Sequence, residues 1–509
     1  MKARSVGDNK GFSTLELMIA LAIMSIVLTG AVSANYAAQY WSITSQTSNE
    51  ALYKAKTKLE DLRALVREDF YQATSSPLTR SVDPSDPNDT VCISGGLCYY
   101  VKTTITDLSS CSKYVQADVS WQVTGYPTSS TALFTNLTNS NEAIALGGDC
   151  VLSQPAGNWS GVAPQSVGSL TFTPGKFLTG IDAFHREIYV TAATNPYLLV
   201  YSVPTAVGKN PVLAGSSTGG GMRLNDIDVE EDLSTGRTYA FAAENATTTQ
   251  LAVFDVTDPA SPTLVTERQL LGVDPYGSFP QGWKVFVYGN RLYMTTRESS
   301  GNEFHIFNIA VPAQPTEIGS GFQLTRTVND MIVRDQKVNG IVHRFVFLAA
   351  DADSKELGVF DVTNDVVSGV ASVDLPGTQD GLSLFLLGHQ LYFGRAQNSA
   401  GPELYVFDVS DPATLTTAAP HIIGRGEVGA DVSSLRASGT YAFIGTGAGQ
   451  MQVWNSDYTI WNSAVLNAGR FQSYNFAHIA PTGIDLDQNW VFAISQFATS
   501  DALQILYTP

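Results

Sequence analysis

The chain has 509 residues, which is too long for one ordinary domain, and this length suggests about two to four domains. A hydrophobic content of 44% and 43 glycines are typical of a globular protein rich in turns rather than of a disordered chain. The formal net charge of −18 excludes a nucleic-acid-binding surface, which needs clustered Lys and Arg, and it disfavours anionic lipid surfaces for the same reason.

A long uncharged stretch lies near the N-terminus. Three basic residues and one acidic residue stand among the first ten, and no charged residue occurs from Leu17 to Asn49. About 20 apolar residues span a bilayer, and positive charge before the span stays in the cytoplasm. The sequence therefore predicts a membrane helix that begins near Phe12. The alternative is a secretory signal cleaved at a small-residue site within AVSANYA, residues 31–37.

One carboxylate, Glu16, stands at the start of this apolar stretch. A carboxylate inside a bilayer costs about 2.5 to 3.5 kcal/mol on insertion scales, so it needs a partner. Cleavage after Gly11 would create an α-amino group on Phe12, four residues before Glu16. If that amine paired with the glutamate of a neighbouring chain, the charge would serve assembly. An ordinary single-pass anchor leaves Glu16 unexplained.

Gly11-Phe12, followed by Glu16 and an apolar run, resembles the prepilin N-terminus of type IV pilins and type II secretion pseudopilins. The resemblance implies that residues 1–11 are a leader, removed after Gly11 by a prepilin peptidase. It implies that Phe12 becomes the N-methylated first residue of the mature chain. It further implies that Glu16 neutralises the Phe12 amine of an adjacent subunit in the core of a filament.

The same resemblance implies partners and a location. The partners are other pilin subunits in a helical filament, the prepilin peptidase and an inner-membrane assembly platform. The precursor would lie in the inner membrane, and the mature chain would lie in an extracellular filament on the cell surface.

The N-terminal helix is expected to continue beyond the membrane segment. No proline occurs between residues 12 and 71. Beyond residue 50, apolar residues recur at a spacing close to three or four: Leu52, Leu59, Leu62, Val66 and Phe70. We therefore predict one helix over residues 12–72. Its first part would span the membrane or lie in the filament core, and its second part would pack on a small sheet.

Residues 73–150 are predicted to form a small β headgroup. Three segments alternate as strands: CYYVKTTITDL from Cys98, YVQADVSWQVTG from Tyr114 and TALFTNLTN from Thr131. The preceding segment 75–90, SSPLTRSVDPSDPNDT, is a loop by composition. Its acids Asp83, Asp86 and Asp89 have a spacing that suits calcium, and an unliganded acidic loop is the other interpretation.

All four cysteines lie in this headgroup, at Cys92, Cys98, Cys111 and Cys150. Cysteines confined to one small region are typical of disulfides that stabilise it in an oxidising compartment. The spacing matches no CxxC zinc pattern. Four cysteines permit three pairings. We favour Cys92–Cys98, closed over a Gly-Gly turn, with Cys111–Cys150, and the sequence leaves the other pairings open.

Beyond a linker predicted over residues 151–168, the chain repeats itself. An apolar strand recurs at intervals of 47 to 53 residues, beginning at Leu198, Leu251, Phe304, Leu357, Leu404, Met451 and Leu503. An aromatic strand precedes each copy, as in EIYVTA and TYAFAA. Seven such units, each with three short strands and a variable fourth, predict an all-β seven-bladed propeller over residues 169–509. A solenoid of sheets is the main alternative.

The ends of the repeat array bear on how it closes. The last unit stops one strand short, and an extra strand, Ser169–Pro174, precedes the first unit. This extra strand would complete the last blade and remove an exposed edge. The phrase FDVTDPA and its relatives resemble the LVIVD-type repeats of bacterial surface propellers. The expected fold is thus an α+β pilin-like part followed by the propeller.

Three aspartates share one place in the repeat, at the start of the innermost strand: Asp226, Asp330 and Asp431. Side chains at that place surround the mouth of a central channel, where a cation or a polar ligand could bind. Glycine fills the same place in the other four units, including Gly180 and Gly483. A tight turn capped by Asp or opened by Gly is therefore the alternative interpretation.

No catalytic motif of the HExxH or CxxC type occurs, and the glycine-rich segments 218–221 and 445–449 do not open helices. We therefore expect no enzymatic activity and no cofactor besides the calcium considered above. Binding or adhesion of an unknown surface ligand by the exposed propeller face is the expected function. A type II secretion pseudopilin and a surface-displayed propeller enzyme are the alternatives.

Overall fold

The computed structural model describes most of the chain, which has an N-terminal part and a C-terminal part. The described residues are 13–68, 70, 73, 76–80, 97–109, 111–122, 128–139, 155, 157–170, 177–203, 209–219, 223–246, 248–273, 281–417, 421–461, 464–476, 480–487, 490–495 and 502–509. Three short 3₁₀ helices occur among them, at Thr363–Asp365, Pro412–Thr414 and Tyr458–Ile460.

The N-terminal part begins with a single helix over Thr14–Glu68, which lies within the predicted range 12–72. Its second half buries one stripe of side chains, formed by Ala51, Ala55, Leu59 and Leu62. The prediction that Leu52 belongs to this stripe is wrong, because its side chain is 38% exposed. The two alanines take the buried positions, and a search for large apolar residues does not detect them.

A four-stranded antiparallel sheet follows the helix. Its strands, in spatial order, are Ser76–Arg80, Cys98–Ser109, Ser112–Gln122 and Ser129–Thr138. The three predicted strands are confirmed. The loop predicted over residues 75–90 is wrong at its start, since the strand Ser76–Arg80 pairs there with the strand Cys98–Ser109.

Helix and sheet are joined by polar contacts as well as by apolar packing. The Tyr99 hydroxyl donates hydrogen bonds to Thr47 O at 3.3 Å and to Glu50 Oε2 at 3.0 Å. Farther along the helix, the guanidinium of Arg63 donates to Thr135 Oγ1 at 2.8 Å. Burial and the Glu50 carboxylate raise the pKa of Tyr99, so this hydroxyl remains a donor at physiological pH.

Several predicted sites of the headgroup fall outside the described residues. These are Asp83, Asp86, Asp89, Cys92 and Cys150. Cys98 and Cys111 are described, and neither is a free thiol. The pairing of the four cysteines and the calcium site both remain predictions.

The C-terminal part consists of seven four-stranded antiparallel sheets, numbered here in chain order. Sheets 1 to 3 comprise Leu178–Phe184, Glu187–Ala192, Leu198–Ser202, Val212–Ser217; Leu224–Asp232, Arg237–Glu244, Leu251–Asp255, Thr263–Arg268; and Gly282–Tyr288, Arg291–Thr296, Phe304–Asn308, Thr316–Glu317. Sheets 4 and 5 comprise Val328–Val338, Ile341–Ala350, Leu357–Asp361, Ser368–Val373; and Gly381–Leu387, Gln390–Arg395, Leu404–Asp408, Ile422–Gly426. Sheets 6 and 7 comprise Val432–Ser438, Tyr441–Thr446, Gln450–Asn455, Arg470–Asn475; and Gly483–Asp487, Trp490–Ile494, Leu503–Tyr507, Gln165–Leu170.

The seven sheets contact one another in cyclic order. The first strand of each sheet lies against the first strand of the next, and that of sheet 7 lies against that of sheet 1. Seven apolar clusters fill the spaces between neighbouring sheets. In the cluster between sheets 7 and 1, for example, Phe492 is buried with Ile181 and Tyr201. The apolar core of this part is thus divided among the gaps between neighbouring sheets.

Sheet 7 combines the two ends of the repeat array, as predicted, but with a different closing strand. The strand that pairs with Leu503–Tyr507 is Gln165–Leu170, four residues earlier than the predicted start at Ser169. The apolar segment SLTFTP contains more strand-forming residues than QSVGSL. Pairing with the last strand, rather than local composition, therefore decides where the closing strand lies.

The predicted linker over residues 151–168 is also corrected by the structure. Trp159 is fully buried, stands edge-on to Phe443 at 5.1 Å between ring centroids, and donates its indole N–H to Pro155 O at 3.1 Å. A buried tryptophan contributes a large apolar area to a core. Residues 157–168 therefore belong to the C-terminal part rather than to a connecting segment.

Candidate functional site

At the start of the N-terminal helix, the side chains of Ser13 and Glu16 each accept a hydrogen bond from a backbone N–H group. Ser13 N–H donates to Glu16 Oε2 at 3.1 Å, and Leu15 N–H donates to Ser13 Oγ at 3.3 Å. This is a reciprocal capping box, which satisfies two backbone donors of the first turn. Glu16 thus has a partner within its own chain, a role readable from the spacing Ser-x-x-Glu. Gly11 and Phe12 lie outside the described residues.

The first half of this helix presents apolar side chains all round. Met18 and Ile26 are 70% and 73% exposed, and no residue of an 18-residue window with a mean hydropathy of 2.3 is buried. The helix is long and apolar enough to cross a membrane. Its surroundings must therefore be lipid or other protein, which agrees with membrane anchoring of the precursor.

In the C-terminal part, the first strands of the seven sheets share one register. At one equivalent position, each first strand has a residue opposite an aromatic residue of the second strand, and some first strands have further aromatic partners. The residues at this position, named level 2 here, are Asp182, Asp228, Phe286, Ile332, Phe385, Arg436 and Asp485. The residues two positions earlier, named level 1, are Gly180, Asp226, Lys284, Asp330, Ser383, Ser434 and Gly483.

Two of the three predicted aspartates share a level. Asp226 and Asp330 belong to level 1 and line the central cavity. The prediction for Asp431 is wrong: this residue precedes the first strand of sheet 6, and Ser434 takes the level 1 position instead. The Oδ1 atom of Asp431 accepts a hydrogen bond from Gln397 N–H at 2.7 Å, outside the cavity.

The same correction applies to two of the glycines. Gly282 and Gly381 lie two residues before the level 1 residues Lys284 and Ser383. The register shifts between each glycine and the level 1 residue, so one residue of the strand has no partner opposite. Matching the repeats by their letters does not show this bulge, and Lys284 was missed for that reason.

Aspartates of both levels tie neighbouring sheets together. A carboxylate on one first strand accepts a backbone N–H of the next first strand. The pairs are Asp182 with Val229 at 2.6 Å, Asp226 with Val285 at 3.1 Å, Asp228 with Val287 at 2.6 Å, Asp330 with Leu384 at 2.9 Å and Asp485 with Ala183 at 2.7 Å. Hydrogen bonds to a charged acceptor are the stronger kind. The aspartates thus have a structural role at the centre of the ring.

Two cations offset part of this negative charge. Lys284 Nζ lies 3.3 Å from Asp226 Oδ1, and Arg436 Nε lies 3.3 Å from Asp485 Oδ1. Burial works to lower the pKa of Lys284, but the Asp226 and Asp330 carboxylates outweigh it and raise that pKa. The pKa of Arg436 is raised in the same way, because the Asp485 and Asp330 carboxylates outweigh the effect of burial. Both side chains therefore stay charged.

The aspartates themselves are less readily ionised. Burial raises the pKa of Asp226, although Lys284 opposes the shift. Burial, together with the Asp226 and Asp485 carboxylates, raises the pKa of Asp228 to about 7. Carboxylates that share a site disfavour one another's charged form. Asp228 is thus poised to gain or lose a proton near neutral pH.

All these groups border one cavity of about 270 Å³, lined by the first strands of all seven sheets. Part of its level 2 wall is apolar, with Phe286, Ile332 and Phe385 on sheets 3 to 5. The opposite part carries Arg436 and the aspartates. Within the described residues, no group of three or more His, Cys, Asp or Glu side chains could hold a metal ion.

A Gly-x-Ser-x-Gly sequence also occurs, at Gly215–Gly219. In an α/β-hydrolase this pattern places the serine on a strand-to-helix turn. Here Ser217 ends the fourth strand of sheet 1, is buried, and accepts a hydrogen bond from Gly219 N–H at 3.2 Å. The local structure is therefore not that of a nucleophile elbow.

Comparisons with known proteins find a family only at the N-terminus. Residues 7–32 match the model of the prokaryotic N-terminal methylation motif. This motif implies processing by a prepilin peptidase and assembly with other pilins. No curated protein sequence matches the chain.

Two solved structures are weakly similar. The computationally designed Ika8 protein has a TM-score of 0.42 at 11% identity, covering 67% of this chain and 99% of its own. Sqt1 of Saccharomyces cerevisiae has a TM-score of 0.43 at 13% identity, covering 65% of this chain and 84% of its own. Neither likeness bears on function.

Proposed function

We propose that this protein, which carries the N-terminal methylation motif of pilin-like precursors, is a type IV pilus subunit that displays its C-terminal sheets for binding. The observation that carries the proposal is the coincidence of the motif with an exposed apolar half-helix. A soluble protein does not leave so large an apolar surface in water. Neighbouring copies of the same helix would cover it in a filament.

We further infer that the seven sheets form a seven-bladed β-propeller. Support comes from the cyclic contacts of the first strands and from the apolar cluster between sheets 7 and 1. A propeller presents loops of variable length on a rigid scaffold, which suits recognition of a surface ligand. The proposed activity of this part is adhesion rather than catalysis.

The first test is peptide mass spectrometry on filaments sheared from intact cells. We expect a peptide that begins at N-methylated Phe12, with peptides from residues 177–509 in the same fraction. If peptides of this chain make up most of the filament protein, the chain is a principal subunit. If they are traces beside another pilin, the chain is a minor or terminal subunit. A mature N-terminus at Ala34 or later would contradict the pilin assignment.

A pair of glycine variants sharpens this test. Gly11→Leu should block leader removal and keep the chain out of the sheared fraction. Gly30→Ala is the matched control, since an added Cβ there meets no atom within 4 Å. It should be processed and assembled like the wild type. Mature Phe12 found only in the cell envelope would instead favour the alternative, a type II secretion pseudopilin.

One observation favours a second candidate, a surface-displayed enzyme. Acids and bases do cluster in the central cavity, with Asp226, Asp228 and Asp485 near Lys284 and Arg436. A carboxyl group whose pKa lies near 7 suits general acid–base catalysis. Turnover of a substrate by the purified chain, abolished by Asp228→Asn, would favour this candidate. Binding without turnover would favour adhesion.

A further inference from the structure

The central cavity holds more negative than positive charge. Its six carboxylates belong to Asp182, Asp226, Asp228, Glu230, Asp330 and Asp485. Its three cations belong to Lys284, Arg334 and Arg436. Charge that is removed from water without a counter-charge is costly, so a net excess of carboxylates favours any cation that can enter.

Asp228 is the carboxylate best placed to receive such a cation. Its Oδ2 atom accepts Val287 N–H at 2.6 Å. In the part of the chain that the structure describes, neither of its oxygens takes part in an ion pair, whereas Asp226 and Asp485 each face a cation at 3.3 Å. Oδ1 of Asp228 thus remains available to a donor inside the cavity.

Ser434 of level 1 is placed differently. It is 94% buried, and its Oγ atom lies against Gly445 of the second strand, closed off from the cavity. The Oγ atom of the equivalent residue Ser383 donates to Val432 O of the next sheet at 2.8 Å. The level 1 serines thus face neighbouring strands, and a ligand in the cavity would contact Asp228 rather than Ser434.

We propose that the central cavity binds a small organic cation, an ammonium or guanidinium group on a short apolar stem, with Asp228 as its principal carboxylate. The stem would lie against Phe286, Ile332 and Phe385, which give level 2 its apolar wall. This inference deepens the adhesive role proposed above, on which its biological meaning rests.

Other ligand classes fit less well. A bare divalent metal needs several oxygen ligands around one point, and no such group occurs among the described residues. An anion would meet the excess of carboxylates. A volume of about 270 Å³ is at the lower limit of small-molecule pockets, so it suits a short aliphatic amine.

Ligand binding should compete with protonation of Asp228. The charged groups that face it are Asp226, Asp485 and Arg436, with Lys284 and Asp182 on the neighbouring strands. Burial raises the pKa of Asp228 to about 7, so at pH 7 this carboxyl group is protonated in half of the molecules. A cation that binds there must displace the proton. Affinity should therefore rise about tenfold from pH 6 to pH 8.

The test is isothermal titration calorimetry of the full mature chain in detergent micelles at low ionic strength, where charge interactions are least screened. The probes are 1,5-diaminopentane and the tripeptide Gly-Lys-Gly, with glutarate as an anion of similar length. We expect saturable binding of the diamine and none of glutarate. Equal or tighter binding of the peptide would identify a protein side chain as the source of the cation, and its failure would identify a free amine.

Matched variants locate the site. Asp228→Asn should weaken diamine binding about tenfold or more and abolish the pH dependence, while keeping the acceptor for Val287 N–H. Ser434→Ala removes a hydroxyl that is closed off from the cavity and should leave binding unchanged. Asp431→Asn makes the same chemical change outside the cavity and should leave binding unchanged. The proposal is overturned if the wild type gives no saturable heat, or if Asp228→Asn binds as tightly as the wild type.

Either result leaves the filament proposal standing. Leader removal and recovery of Phe12 from sheared filaments do not depend on the cavity. Conversely, a chain that stays in the membrane would still bind the diamine in micelles.

Discussion

At the central cavity, aspartate carboxylates join neighbouring first strands by accepting backbone N–H groups. Asp228 illustrates the cost of this arrangement, because burial raises its pKa to about 7 from an ordinary value of 3.8. The folded protein therefore binds more protons than the unfolded chain between these two values. Since stability falls with pH wherever the native state holds the extra proton, this carboxyl lowers stability as pH rises through that window and costs most above pH 7.

Replacing Asp228 by asparagine should make this visible. Asparagine keeps the acceptor for Val287 N–H but carries no charge. At pH 8 we expect Asp228→Asn to raise the free energy of unfolding by on the order of 1–3 kcal/mol, and at pH 4 to leave it nearly unchanged. Urea unfolding at pH 4, 6 and 8 measures this difference. A variant less stable than the wild type at pH 8 would contradict the argument.

Buried glutamates stand just before the third strand of several sheets. Glu403, which precedes the third strand of sheet 5, is fully buried. Its Oε2 atom accepts the N–H groups of Val428 and Gly429 at 2.9 and 3.0 Å. Gln250 holds the equivalent place in sheet 2, where its Oε1 atom accepts Leu270 N–H at 3.0 Å. The position thus requires an acceptor more than a charge.

This comparison predicts the order of two variants. Glu403→Ala leaves buried N–H groups unsatisfied and should lower the free energy of unfolding by about 2–4 kcal/mol. Glu403→Gln retains one acceptor, as Gln250 does naturally, and should lose less than half as much. Thermal unfolding of the two variants beside the wild type gives the order. Equal losses would mean that the negative charge itself stabilises the loop.

Among the elements, the third strands were located from sequence at the right residues, since dense apolar letters recur there. The level 1 residues were located in four of the seven sheets. In sheets 3, 5 and 6 the matching letters Gly282, Gly381 and Asp431 stand before the bulge, whereas in sheets 1, 2 and 4 the matching letters stand after it. The closing strand was misplaced because QSVGSL has little strand character of its own. Position inside a sheet comes from pairing, and pairing is not a property of one segment.

The closing strand gives an element-scale prediction. A Cβ added at Gly168 would lie 2.4 Å from Asn210 Oδ1 and 3.1 Å from Asn210 Cα. The two segments that carry these residues would therefore have to move apart. Gly168→Ala should therefore lower the free energy of unfolding of the C-terminal part by about 1–3 kcal/mol. Gly369→Ala, in the fourth strand of sheet 4, is the matched control, because its nearest neighbour is a Phe360 ring atom at 3.6 Å. Equal effects would mean that strand propensity, rather than contact with Asn210, limits both sites.

At the scale of the whole C-terminal part, the repeat period and the short last unit were enough to predict seven sheets and the pairing of the two ends of the array in sheet 7. The sequence did not show the chemistry of the centre, because residues from seven distant segments meet there. Asp228 and Asp485 are 257 positions apart in the chain, yet the Asp485 carboxylate contributes to the raised pKa of Asp228. Chemistry of this kind becomes visible only once the register of every first strand is known.

A closed ring of sheets and an open array of sheets should respond differently to truncation of the chain. Removing Leu503–Pro509 takes away the strand that lies between Trp490–Ile494 and Gln165–Leu170. In a solenoid, stability is a sum over neighbouring repeats, so the other sheets would unfold near their original temperature. In a ring, sheets 1 and 6 also lose a neighbour, so the whole C-terminal transition should shift downward in calorimetry. Removing the exposed Pro509 alone is the control and should leave the transition in place, whereas an unshifted main transition after the longer deletion would favour the solenoid.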